Sequence, residues 1–355
     1  MKQRIPPANK TEGPFDLTGA QWLRLSERKK TRYVEEAFRY WRRCGFPHYK
    51  VSPIQMKSEL RRLCDLDRTD VMKGTQIRGS NVGVTLASSF HPHMWSVRVS
   101  RYMSPMDCFQ DDQLLRQVIR RAFTVWPDRH GANASSLRIM LKTFSNCASV
   151  SNFRPTVARA VIQAFSDPSD LIVDFAAGYG GRLVGCLSLP RHYLGIEPCT
   201  LQVRGLNRCI RTIHNLKCVP GTAEIQKGCA EDILPQLPSR STRLVISSPP
   251  YFDWERYADH NTQSFLRYRS YSQWLAKFLH PVIQQSHRIL LKGGYLAVNM
   301  PNGGSRIPLL HDLTRAATSA GFTLDRVYRL RLSKVAFLHP RGRRVKWEAI
   351  AILKK

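Results

Sequence analysis

The stretch Leu244-Val245-Ile246-Ser247-Ser248-Pro249-Pro250-Tyr251 decides how the chain is read: an apolar, β-branched run that stops at two serines, two prolines and an aromatic ring. A short apolar run of this kind fits a strand buried on both faces. The prolines have no N–H and a fixed φ, so they end sheet pairing and stiffen the loop that follows. A rigid loop at the carboxyl end of a buried strand can hold groups still. Ser248 offers a hydroxyl and a backbone carbonyl there, and Tyr251 a flat face for a planar ring. Such a loop suits an exocyclic amine. Its lone pair is delocalised into the ring, and acceptors that take its hydrogens restore tetrahedral character and free the pair for an electrophilic methyl.

Upstream, Leu171-Ile172-Val173-Asp174-Phe175-Ala176-Ala177-Gly178-Tyr179-Gly180-Gly181-Arg182-Leu183 reads as a strand, a small-residue bend and the start of a helix. Gly178 and Gly180 let the backbone turn tightly and approach a ligand. The bend departs from the dinucleotide fingerprint in carrying Ala176 at the leading glycine position, and it lacks the Gly-Lys-Ser/Thr of a phosphate loop. About twenty residues on, Tyr193-Leu194-Gly195-Ile196-Glu197-Pro198 is a second strand ending in an acid, which can accept both hydroxyls of a ribose.

Together these residues resemble the S-adenosylmethionine-dependent amino-methyltransferases, whose signature is Asp/Asn/Ser-Pro-Pro-Tyr/Phe/Trp after the fourth strand. The resemblance covers roughly the last three fifths of the chain. It implies an α/β fold of the class I (Rossmann-like) methyltransferase type, with a seven-stranded sheet. S-adenosyl-L-methionine would be the cofactor, held by Phe153, Arg154, Asp174, Ala176, Gly178, Gly180, Glu197 and Asp232, with Glu231 the alternative to Asp232. Ser248, Pro249, Pro250 and Tyr251 would be catalytic. The implied reaction is methylation of an exocyclic amino group in DNA, as in site-specific and restriction-modification enzymes. Ser-Pro-Pro-Tyr is commoner among cytosine-N4 members than among adenine-N6 members. Cys199 follows the second strand, not the fourth, where cytosine-C5 enzymes carry a Pro-Cys nucleophile, so it reads as structural. An RNA amino-methyltransferase would share all these residues, and a non-enzymatic nucleic-acid-binding protein could keep the same fold. A protein-glutamine methyltransferase usually shows Asn-Pro-Pro-Tyr, and Ser248 argues against it.

Composition agrees with a polyanionic partner. Lys and Arg number 55 against 26 acidic residues, a net +29 that runs through both halves of the chain, and self-repulsion at that charge favours something acidic nearby. No stretch approaches the length of a membrane-spanning helix, and Met1-Lys2-Gln3-Arg4-Ile5-Pro6-Pro7 lacks the apolar core of a signal peptide, so membrane binding is not expected and the chain is expected in the cytoplasm, at the nucleoid. The nine cysteines form no CxxC pair, and neither Cys44 with His48 nor His91 with His93 finds a second ligand pair at zinc spacing, so no metal is expected.

The expected domains are 1–150, basic and mainly helical, for nucleic-acid recognition, and 151–355, the methyltransferase part. Helices are predicted over Glu27–Arg43, Ile54–Cys64, Asp111–Trp126 and Ser135–Phe144. Arg39, Arg42 and Arg43 are placed along phosphates, and Thr75–Phe90 is read as strand or loop. His91-Pro92-His93-Met94-Trp95 reads as a packed turn, with contact to a nucleobase or a partner as the alternative. Beyond Tyr251, the loop with Phe252, Trp254, Arg256, Tyr257, Gln263, Tyr268, Arg269 and Tyr271 combines rings and charge of the kind that grips an extruded base, with a lid packed over the core as the alternative. The last two strands, Thr323–Leu332 and Trp347–Leu353, would form an antiparallel closing pair, with Arg341, Arg343, Arg344 and Lys346 between them.

Overall fold

The apolar runs form strands because both of their faces are covered. In the computed structural model, which describes residues 17–100, 102–124, 131–143, 147–257, 261–301, 307–332 and 347–355, nine strands make one sheet. They are β1 (Met72–Lys73), β2 (Gln76–Ile77), β3 (Leu171–Asp174), β4 (His192–Glu197), β5 (Thr222–Lys227), β6 (Thr242–Ser247), β7 (Leu290–Pro301), β8 (Thr323–Arg331) and β9 (Trp347–Lys354), in the order β1-β2-β8-β9-β7-β6-β3-β4-β5. The run β7-β6-β3-β4-β5 is parallel, and β9 lies antiparallel to both β7 and β8. The fold is thus α/β with a mostly parallel sheet, and the count is nine rather than seven.

The two extra strands come from a hairpin, Lys73 paired with Gln76, whose β2 adds parallel to β8 at the sheet edge. Gly74, at φ +56°, makes the tight turn. Ile77 is its one fully buried residue, so the hairpin carries no apolar alternation to announce it. The segment read as strand or loop also holds a helix, Val84–Ser89.

One face of the sheet packs Val173, Ile196, Val245, Leu296 and Val298 against Trp274, Phe278, Val282, Ile283, Leu313 and Ala316. The alternate residues, such as Ile172, Leu244 and Ile246, are buried as well, which only a sheet covered on both sides permits. The helical stretch before β7 is interrupted: Tyr271–Trp274, a π-turn at Leu275–Leu279, and His280–Ile289. Pro281 explains the break: it has no N–H and its ring crowds the carbonyl four residues back.

The chain divides into two compact units, one of Met1–Val51 with Pro92–Val150 and the other of Ser52–His91 with Ser151–Lys355. This differs from a single boundary near 150, because 52–91 belongs with the sheet. The first unit's described residues are mainly helical, with Glu27–Cys44, Asp112–Ala122 and Ala134–Thr143 its longest described helices. Its core joins Trp22, Phe38, Trp41, Phe109, Ile119, Phe123 and Leu137. Trp22 stacks on Phe123 at 4.3 Å, and the Trp41 indole donates to the Ala132 carbonyl at 3.0 Å.

Candidate active site

Chain order places a crevice at the end of β3. From β3 the chain steps through β4 and β5 on one side, then crosses to β6 and β7 on the other. The loops after β3 and β6 therefore leave neighbouring strands in opposite directions, the position at which open parallel sheets bind ligands.

Asp174, fully buried at the end of β3, anchors the first of these loops. Its carboxylate accepts from Arg182 Nε (2.6 Å) and Nη2 (3.3 Å), Tyr193 OH (2.7 Å), Ser247 Oγ (2.9 Å) and the Ala176 N–H (3.2 Å). Arg182 also donates to the Ala176 carbonyl. Burial works against the Arg182 charge, but Asp174 overrides it and holds that charge above its ordinary range. Burial likewise raises the Tyr193 hydroxyl well above the usual phenol. Asp174, read as a cofactor ligand, is thus filled by protein donors. Through Ser247 it ties the glycine bend to the strand that carries the Pro-Pro loop.

Gly178 (φ +59°) and Gly180 (φ +78°) turn the chain into the helix Gly181–Leu187. A Cβ on Gly178 would meet only the Ala176 carbonyl, at 3.7 Å, so the turn faces open space. A Cβ on Gly181 would lie 1.9 Å from the Phe153 carbonyl, which no side chain tolerates. Asn152 braces the bend, donating to the Tyr179 carbonyl (2.8 Å) and accepting from the Gly181 N–H (3.0 Å). Phe153 lies beneath the Arg182 guanidinium at 5.3 Å. Arg154 does not join it: its guanidinium donates to the Gly79 (3.2 Å) and Arg331 (3.0 Å) carbonyls and holds the hairpin edge instead. His91 is fully buried and packs edge-on to Tyr179 at 5.6 Å.

Glu197 ends β4 beside this turn. One carboxylate oxygen accepts from the Gly178 N–H and the other from the Cys199 N–H, both at 2.9 Å. Burial is the larger influence and pushes its pKa up to about 7 against those two hydrogen bonds. Cys199 serves here through its backbone, at the start of the helix Thr200–Asn215. Asp232, half exposed, is engaged by Arg267, which forks onto its two oxygens at 2.8 and 3.1 Å and reaches Glu231 at 3.0 Å. The Tyr268 hydroxyl also donates to Glu231 (2.9 Å), whose pKa burial raises.

On the other side, Ser248 Oγ and the Tyr251 hydroxyl are 3.2 Å apart. Asn299 on β7 donates to that hydroxyl (2.7 Å) and to Glu348 on β9 (2.8 Å). Burial lifts the Tyr251 phenol well above its ordinary range, and it lifts Glu348 against the Asn299 hydrogen bond and the nearby Arg154 charge. Phe252 takes φ +59°, a strained conformation for a bulky residue, and its ring is held edge-on by Tyr271 (5.6 Å) and Trp274 (6.2 Å). Glu255 accepts from the Tyr257 hydroxyl, and the Tyr257 ring lies 6.0 Å from Tyr179 of the glycine bend. Burial, then the neighbouring Glu348, raises Glu255 to about 7. The loop after β6 therefore reaches the glycine bend after β3.

Several expected base-gripping residues face inward. Gln263 and Tyr268 are buried, and Tyr271 donates to Asp312 at 2.7 Å. Arg256 and Arg269 are exposed, with Trp254 half-buried. In the helical unit Arg42 is likewise internal, donating to the Phe109 (2.8 Å) and Gln110 (3.0 Å) carbonyls and lying over the Phe38 ring at 5.1 Å, whereas Arg39 and Arg43 are exposed. Arg341, Arg343, Arg344 and Lys346 lie outside the described residues.

Sequence reasoning did not find Asn152, Arg182, Ser247, Asn299, Glu348 or Glu255. The signal for Asn299 was a lone amide inside the apolar run Leu296-Ala297-Val298-Asn299-Met300, since a buried polar residue in an interior strand needs a reason. A cavity of about 580 Å³ exists elsewhere, at the amino ends of β3, β6 and β7, lined among others by Asp67, Arg68, Gln163, Asp167, Arg243 and Tyr295. It contains neither glycine turn nor Pro-Pro loop.

All nine cysteines carry free thiols. Among the described residues no cluster of three acidic, histidine or cysteine side chains is arranged for a metal ion, and no helix is long and apolar enough to cross a membrane.

No family model and no curated protein matches the chain. Solved structures with a similar fold include an S-adenosylmethionine-dependent methyltransferase from Methanosarcina mazei, at 15% identity over 55% of this chain and 96% of that one, with TM-score 0.40. TrmN from Thermus thermophilus is 13% identical over 57% of this chain and 48% of its own, TM-score 0.40. Precorrin-6y C5,15-methyltransferase from Geobacter metallireducens is 12% identical over 56% and 86%, TM-score 0.37. At these values the likeness carries nothing about substrate or reaction.

Proposed function

We propose that this chain is an S-adenosylmethionine-dependent methyltransferase acting on the exocyclic amino group of a base in DNA, cytosine N4 ahead of adenine N6. The observation that carries the reading is the closeness of the two loops at the switch point: Ser247, just before Ser248-Pro249-Pro250-Tyr251, bonds to Asp174 at the start of the glycine turn, and Tyr257 lies against Tyr179 within it. The open side of Gly178 and the carboxylate beside it fit a nucleoside-bearing cofactor. Phe153, Ala176, Gly178, Gly180, Glu197 and Asp232 are its candidate contacts, and Arg154 and Asp174 serve the fold instead. When bound, the cofactor supplies an electrophilic methyl on a sulfonium.

The chain's own part is positioning. Glu197 accepts ribose hydroxyls, and a ligand donating to it favours the ionised form. Asp232 accepts from an adenine amine once Arg267 yields one of its oxygens. Ser248 and the carbonyls of the Pro-Pro turn accept hydrogens from the target amine, turning its lone pair toward the methyl, and Tyr251 stacks on the ring. The net +29 and the exposed Arg39, Arg43, Arg256 and Arg269 supply attraction for phosphates.

Incubation with labelled cofactor and DNA, followed by mass analysis of nucleosides, is expected to give N4-methylcytosine. Label in RNA alone moves the reading to an RNA amino-methyltransferase, and absence of heat on titrating the cofactor moves it to a non-enzymatic nucleic-acid-binding protein.

A further inference from the structure

Asn299 belongs to neither the Pro-Pro motif nor the glycine turn, yet it holds the substrate side of the cleft together. It is 3% exposed, in the middle of β7. Its amide nitrogen has two hydrogens and gives one to the Tyr251 hydroxyl (2.7 Å) and one to Glu348 Oε2 (2.8 Å). Glu348 reaches it from the adjacent strand, where Ile350 pairs with Asn299 and Glu348 lies two residues further on, toward the same face.

These partners fix which way the amide faces, because the reverse orientation would set its carbonyl against a carboxylate. The arrangement has a cost: the Asn299 carbonyl oxygen is buried without a donor among the described residues. Buried polar atoms are rarely left so, and an exception calls for a reason.

Hydrogen-bond direction supplies one. The phenol oxygen already accepts from Asn299, which favours the phenol, of the two hydroxyls 3.2 Å apart, as the donor to Ser248 Oγ. Ser248 then keeps its own hydrogen and one lone pair for whatever enters the cleft.

We propose that Asn299, anchored by Glu348, is a positioning residue that sets the hydrogen-bond direction along Tyr251 and Ser248. Ser248 is thereby matched to a base edge on which an amino group stands beside an accepting ring nitrogen, as in cytosine and adenine. This rests on the reading of function above.

The test is a double-mutant cycle on the full chain, with methyl transfer to DNA and cofactor affinity measured together. Asn299→Ala is expected to lower kcat by about tenfold or more, with cofactor Kd changed less than about twofold. In a Tyr251→Phe background the same substitution costs less than about twofold, since the oxygen it orients is gone. Glu348→Gln, whose amide oxygen still accepts from Asn299, retains at least about fivefold more activity than Glu348→Ala. Losses that simply multiply in the double mutant, or equal losses in the two Glu348 variants, overturn the proposal.

A readout independent of activity is the ring Cζ resonance of labelled Tyr251, expected to move in Asn299→Ala and to stay in Glu348→Gln. If the unmutated protein transfers no methyl to DNA or RNA, the functional reading fails. A Tyr251 resonance unmoved by Asn299→Ala overturns the positioning role itself. Should Asn299→Ala not fold, Asn299→Ser gives the same comparison.

Discussion

The turn after β3 and the loop after β6 end neighbouring strands, but they are held by opposite means. In the turn, protein partners close the polar groups: Asp174 takes donors from Arg182, Tyr193, Ser247 and Ala176, and Glu197 takes the N–H groups of Gly178 and Cys199. The loop is held by rings. Phe252 sits in a strained conformation, the Ser248–Tyr251 hydroxyl pair hangs on one amide, and that amide's own oxygen has no donor among the described residues. The first is a seat built in advance. The second keeps strain and open hydrogen-bonding capacity, as sites for a reacting group do.

The contrast is sharpened or broken by where mutations take their effect. The largest stability loss is expected for Asp174→Ala, which leaves Arg182 buried and unpaired. About 3–5 kcal/mol is expected from urea unfolding, and a loss under about 1 kcal/mol would mean that the turn is held by something else. Gly181→Ala forces a Cβ toward the Phe153 carbonyl and is expected to cost about 1–3 kcal/mol with loss of cofactor binding. Tyr251→Ala is expected to behave in reverse, losing methyl transfer by about a hundredfold while the cofactor still binds. Equal damage to both functions would erase the distinction between seat and loop.

Smaller effects follow from Glu197. Its folded pKa of about 7 lies above the ordinary 4.5, so the folded state binds more protons than the unfolded state between those values. Stability from this group is fully present below about pH 4.5 and declines as pH rises toward 7. Cofactor affinity is expected to run the other way, tightening from pH 6 to pH 8 as the carboxylate ionises, and Glu197→Gln should flatten both profiles. Calorimetry across that range is the check, and an unchanged slope in the variant would assign the pH dependence to another group. Smallest of all, Arg267→Ala is expected to alter stability by about 0.5 kcal/mol, because its pair with Asp232 is half exposed to solvent.

What was legible in the sequence followed chemistry that is local. The strands Leu171–Asp174 and Thr242–Ser247, the glycine bend and the acid after β4 are each contiguous runs with their own steric logic. The hairpin at Met72–Ile77 was not legible, since two-residue strands carry too little alternation to show a period. Nor were the partners of each motif. The sequence points Arg154 toward a ligand, yet it holds the backbone of Gly79 and Arg331, and it points Arg42 toward phosphate, yet that side chain crosses to the Phe109 carbonyl. A long cation's destination depends on which carbonyls the tertiary fold leaves within reach. Asn299 and Glu348 became functional candidates only when strand register set them beside a tyrosine distant in sequence.

The most direct measurement is a structure of the protein with a non-reactive cofactor analogue. Its sugar hydroxyls are predicted to lie on Glu197, its chain to pass over Gly178, and the atom that replaces the sulfonium to face Ser248 and Tyr251. An analogue seated away from the glycine turn, as in the cavity of about 580 Å³ at the amino ends of the strands, would contradict the proposal that methyl donor and target amine meet where β3 and β6 end.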